Sequence, residues 1–109
     1  MTAPDLEVLR DRLRAFAEAR DWVQFHDPKN LSMALAVETA ELLEIFQWLT
    51  PTEAIAIMAD EEQARAVSDE LADVLIYLVR IADVLDVELT REAHAKIDRN
   101  EKRFPPLRE

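Results

Sequence analysis

The chain has 109 residues, half of them apolar, and 23 acids against 13 basic residues, for a formal charge of −10. That length fits one domain with a real core, and the charge disfavours binding to nucleic acid backbones or anionic membranes. There is no glycine and no cysteine, which excludes glycine-rich phosphate loops, dinucleotide fingerprints, disulfides, thiolate zinc sites and a cysteine nucleophile.

Leu6, Leu9, Leu13, Phe16 and Ala17 recur at helical spacing and predict a first amphipathic helix over residues 4–20, started by Thr2 or Pro4. The segment 22–30, WVQFHDPKN, interrupts this pattern at Asp27-Pro28 and reads as an unusually aromatic loop. Asn30 or Ser32 is expected to cap a second helix running through Leu49. Thr50-Pro51-Thr52-Glu53 carries an N-cap, a proline at the first helical position and an acid at the third. A short helix should follow and end near Ala59. Asp60, with Gln63 three residues on, opens a long helix whose apolar period continues over 64–85. Residues 86–89 read as a turn, Thr90 as the cap of a last helix to Arg103, and Phe104-Pro105-Pro106 as its stop. No strand pattern or repeat appears. The predicted fold is an all-α bundle of four main helices with one extra short helix, in a single domain over residues 1–109.

Two acidic pairs lie inside apolar sectors. Glu38 and Glu41 share a helix side with Leu31, Leu35, Leu42, Ile45 and Leu49, and Glu70 and Asp73 share one with Val67, Val74, Tyr77 and Ile81. Other acids three apart, such as Asp83/Asp86 and Asp98/Glu101, are read as solvated faces in a chain this acidic. Four carboxylates on buried faces repel one another and lose hydration unless a cation compensates them. Antiparallel packing of the second and long helices can gather the quartet around one cavity. Oxygen ligands without histidine or cysteine favour Mg²⁺, with Mn²⁺ possible, over zinc. A di-iron site expects Glu-x-x-His, whereas His94 is preceded at that spacing by Arg91 and His26 lies in the loop.

Magnesium held by carboxylates completes its shell with waters and phosphate oxygens. Lys96, Asn100 and Arg103 share one face of the last helix, where they either meet a phosphate or merely complement the helix C-terminus. Trp22, Phe25, Trp48 and Tyr77 can stack on a planar base or form ordinary core, the latter being the better reading for Phe25. His26 can hydrogen-bond a ligand or hold its loop.

These stretches together resemble the MazG-like all-α NTP pyrophosphohydrolases, marked by Glu-x-x-Glu followed by Glu-x-x-Asp. The likeness rests on residues 19–31, 38–49, 69–83 and 96–105, and is greatest to the small dCTP pyrophosphatase branch. It implies Mg²⁺-dependent hydrolysis of a nucleoside triphosphate between its α and β phosphates, with dCTP or modified dCTP as substrate, for nucleotide-pool sanitation. Glu38, Glu41, Glu70 and Asp73 match the metal ligands, with Glu38 or Glu41 acting on the water. Lys96, Asn100 and Arg103 match phosphate contacts, and Trp22, Trp48 and Tyr77 match aromatic positions that line the base and sugar pocket. A homodimer or homotetramer in the cytoplasm is expected. Leu13 stands where some members place a base-facing histidine, and Phe104 where a tyrosine is usual. The alternatives are dUTP or non-canonical nucleotides as substrate, or a non-catalytic acidic helical adaptor.

Overall fold

The computed structural model describes residues 5–107. Among them the regular elements are helical: α1 (Asp5–Ala19), α2 (Pro28–Phe46), α3 (Pro51–Ile55), α4 (Glu61–Val84) and α5 (Leu89–Arg103), with single 3₁₀ turns at Val23–Phe25 and Ile57–Ala59. The expected all-α architecture is present. The proposed start of α1 at Thr2 or Pro4 lies outside the described residues.

Local chemistry explains the boundaries. Thr50 and Glu53 form the reciprocal capping box their spacing predicts, with Thr50 Oγ1 accepting from the Glu53 amide at 3.1 Å and Glu53 Oε1 from the Thr50 amide at 2.9 Å. Asp60 accepts from the Gln63 amide as the cap of α4. Four boundaries differ from expectation, the first being that α3 ends at Ile55, with a separate 3₁₀ turn over Ile57–Ala59 where the helix is expected to continue. Helix α2 begins at Pro28, because Asp27 Oδ1 accepts from the Asn30 amide at 2.8 Å and proline suits the first helical position. It ends at Phe46, and residues 47–49 form a turn rather than a last helical coil. Glu88, not Thr90, caps α5, its Oε1 accepting from the amides of Thr90 and Arg91.

In a chain without glycine, aspartates take the left-handed positions that end α1 and α4. Asp21 has φ 57° and Asp86 has φ 58°, a conformation that short polar side chains tolerate. Beyond them, the Trp22 amide donates to the Ala17 carbonyl and the Val87 amide to that of Ala82, at 2.9 and 2.8 Å. This six-to-one closure turns the chain sharply and satisfies the last carbonyls. At the first of these ends it sets Trp22 beside the end of α1.

Helix α4 is the hub. It packs along α2 and against α1, and the 3₁₀ turn after α3 folds onto it. Leu31 of α2, Ala17 of α1, and Val67, Val79 and Ala82 of α4 form the buried core. Helix α5 has no comparable partner among the described residues. The Cα radius of gyration is 17.1 Å, against about 13 Å for a compact chain of this length. Leu43, Trp48, Ile55 and Ile97 are exposed, so the bundle leaves apolar surface uncovered. No helix among the described residues is long and apolar enough to cross a membrane.

Candidate metal centre and adjoining cavity

Three of the four motif carboxylates come together between α2 and α4. Glu38, Glu41 and Glu70 each offer a carboxylate oxygen, and these oxygens all lie within 4.8 Å of one another. One oxygen of Glu38 and one of Glu70, Oε1 in both, are buried without a hydrogen-bond partner. Buried acceptors left unpaired carry a desolvation penalty, and like charges at this separation add to it. Burial pushes the Glu38 carboxyl up to about 7, helped by the hydrogen bond its protonated form can share with Glu70 and by the charges of Glu41, Asp73 and Glu70. The set contains only hard oxygen donors, as a magnesium or manganese site requires. The orphaned oxygens point to the same conclusion, so these residues fit a divalent cation.

Asp73 stands slightly apart. It is not among the converging three, although it acts on Glu38 through its charge. It also lines a neighbouring cavity of about 460 Å³, together with Trp22, His26, Tyr77, Phe16, Leu13 and Arg80. Trp22 meets Phe16 edge-on at 5.6 Å between ring centroids, and the Arg20 guanidinium covers the Phe16 ring. Asp73 therefore joins the acidic centre to an aromatic-walled space large enough for a nucleobase.

Three of the expected pocket residues, Trp22, His26 and Tyr77, come together there. Trp48 does not: it is 86 % exposed and is absent from that cavity wall. Helix α2 stops before reaching it, and the turn at 47–49 leaves the indole outside the fold. Lys96, Asn100 and Arg103 do not line the cavity either, because α5 is not packed over the α2–α4 seam.

Arg80 was not singled out by the spacing, and Asp83, expected on a solvated face, has a side chain only 8 % exposed and paired with two arginines. Arg80 is buried, its Nε–H donating to His26 Nδ1 at 2.9 Å and its Nη1–H to Asp83 Oδ2 at 2.9 Å. Arg14 donates twice to the same carboxylate, at 2.6 and 3.0 Å. The Arg14 hydrogen bond holds Asp83 below the usual carboxylate range, with the arginine charges acting in the same direction against burial. Burial and the Arg80 charge lower the pKa of His26. The signal was present in the spacing, since Asp73, Tyr77 and Arg80 fall on one side of α4.

Comparisons with known proteins agree with this geometry. Residues 33–107 match the model of the MazG-like family. The chain is 43 % identical over 102 residues to the rat and human proteins called dCTP pyrophosphatase 1, covering 94 % of this chain and 60 % of each relative. It thus spans about three-fifths of the length of those curated relatives. The crystal structure of a pyrophosphatase from Archaeoglobus fulgidus superposes with a TM-score of 0.87 at 37 % identity, covering 97 % of both chains. With a matching family model over residues 33–107 and three of the four motif carboxylates converging, the chain belongs to the MazG-like family.

Proposed function

We propose that this chain is a soluble, cytoplasmic nucleoside triphosphate pyrophosphohydrolase acting on dCTP or a modified dCTP. It cleaves the bond between the α and β phosphates with water, giving the monophosphate and pyrophosphate, and so cleans the nucleotide pool. The observation that carries this reading is the pair of orphaned buried oxygens of Glu38 and Glu70 beside an aromatic cavity. The names borne by the relatives support the substrate class.

Glu38, Glu41, Glu70 and Asp73 would hold Mg²⁺, or Mn²⁺ in its place. When bound, the ion neutralises phosphate charge and polarises the phosphoryl oxygens. Glu38 or Glu41 orients the water and takes its proton, since their oxygens sit at the point where the acids converge. Trp22 and Tyr77 offer flat faces for the base, a contact worth about 1–3 kcal/mol per stacked ring. His26 supplies a hydrogen bond at the same wall. Lys96, Asn100 and Arg103 are assigned to the triphosphate tail. Because α5 makes no substantial packing against the α2–α4 seam among the described residues, we propose that a second copy brings these three to the site, in a dimer or tetramer.

Pyrophosphate release from a panel of dNTPs and NTPs, with Mg²⁺ and then with EDTA, tests this. The expected result is metal-dependent turnover with dCTP preferred. Turnover indifferent to EDTA, or none on any triphosphate, refutes the proposal, and preference for dUTP refutes its substrate assignment.

A further inference from the structure

Two residues of the cavity wall, Arg80 and His26, belong to an arrangement that the metal chemistry does not use: Arg14, Asp83, Arg80 and His26 are linked by hydrogen bonds from α1 across α4 to the loop before α2. We infer that Arg80 is a positioning residue that fixes His26 in one tautomer, making the imidazole a hydrogen-bond donor toward an acceptor edge of the bound base. The ligand's identity in that statement rests on the function proposed above; the state of the histidine does not.

An arginine N–H only donates, so His26 Nδ1, at 2.9 Å from Arg80 Nε, must carry a lone pair. In a neutral imidazole the proton then resides on Nε2, which is left as a donor. Protonating His26 at Nδ1 would break that bond and place a second cation beside a buried guanidinium. Burial and the nearby positive charge both oppose it. Asp83 holds the other side of Arg80, and Arg14 holds Asp83, so the guanidinium is anchored at both ends. Such an outer support for a binding group is a recurring way to keep a donor aimed.

The consequence is chemical selection. With Trp22 and Tyr77 on the same wall, His26 meets a planar ligand as a donor and offers it no acceptor. A pyrimidine presenting a carbonyl oxygen or an unprotonated ring nitrogen satisfies it. A ligand presenting an N–H there leaves two donors opposed, which costs more than a missing bond.

Histidine ¹H–¹⁵N correlation spectra of the intact protein at neutral pH test this, with His26→Gln distinguishing the signals from those of His94. The expected wild-type pattern is a protonated Nε2 and an unprotonated Nδ1 for His26. In Arg80→Met the two tautomers should mix, and KM for dCTP should rise by about three- to tenfold, the worth of one hydrogen bond, with kcat little changed. Arg80→Lys, which retains a donor, should restore part of both. If Arg80→Met fails to fold, the wild-type spectrum and Arg80→Lys still decide. A wild-type His26 protonated at Nδ1, an unchanged spectrum in Arg80→Met, or a fall in kcat at constant KM overturns the inference. Absence of turnover on every triphosphate would reject the proposed function, while the spectra would still show what Arg80 does to His26.

Discussion

Glu38 on α2 and Glu70 on α4 meet across the helix seam with one buried, unpartnered oxygen apiece. Glu38, Glu41 and Glu70 each also offer a carboxylate oxygen within 4.8 Å of those of the other two. A fold does not gain stability from such an arrangement when the site is bare. The arrangement is intelligible when a cation is part of the working protein.

The first prediction concerns stability against pH. Glu38 is raised from 4.5 to about 7, so between those values the folded chain holds a proton that the unfolded chain releases. This group therefore removes stability as pH rises through that window. His26 acts in the opposite sense, because its lowered pKa removes stability as pH falls below its ordinary 6.5. Comparing wild type with Glu38→Gln cancels the histidine. Without metal, Glu38→Gln should gain stability relative to wild type as pH rises from about 5 to about 8, and Mg²⁺ should raise the melting temperature of wild type alone. Parallel pH profiles would remove the electrostatic argument for the site.

Glu41→Gln and Asp73→Asn test the ligand set from its two ends, one inside the converging trio and one at the cavity side. Each should reduce turnover by about 100-fold or more, since even the outer-shell partners of metal ligands cost about 10–100-fold when lost, with the helical circular dichroism unchanged. Full activity in Asp73→Asn would confine the centre to the three glutamates.

Much of this was legible in the sequence, for reasons that differ by residue. The Thr50–Glu53 box and the Asp60 cap are chemistry within four residues, so spacing alone reveals them. The acidic quartet stood out because charge inside an apolar helical sector is itself unusual. Asp27-Pro28 was read as a break although aspartate before proline also starts helices, and here it does. Arg80 was missed because its meaning lies in His26, 54 residues away in the chain. The exposure of Trp48 and the free course of α5 depend on packing between elements, and no periodicity encodes that.

Asp83 should be the most sensitive polar residue for stability. Its side chain is buried to a similar degree as that of Arg80, whereas the Arg14 side chain is 48 % exposed. Asp83→Asn leaves a buried guanidinium without its counter-charge and should cost about 3 kcal/mol or more. Arg14→Ala removes a half-exposed partner and should cost about 1 kcal/mol or less. Because the Asp83 pKa is lowered, its stabilising effect is present above the ordinary 3.8 and lost as pH falls through the depressed value. Urea unfolding at neutral pH and near pH 3 measures all three. Equal costs for the two substitutions would mean that Arg80 does not depend on this carboxylate.

The free course of α5 leads to the last prediction. Lys96, Asn100 and Arg103 lie on a helix with no substantial partner among the described residues, in a molecule extended beyond the dimensions of a compact domain. If a second copy brings them to the acidic seam, two different inactive variants should rescue each other. Glu41→Gln lacks a metal ligand but keeps its α5 cations, while Lys96→Ala paired with Arg103→Ala has the reverse defect. Mixed after co-expression, they should form assemblies in which one site has every group intact, recovering about a quarter of wild-type activity if dimers pair at random and every site functions independently. Neither variant should do so alone. A monomer at working concentration, or a mixture as inactive as its components, would place the phosphate-binding cations elsewhere.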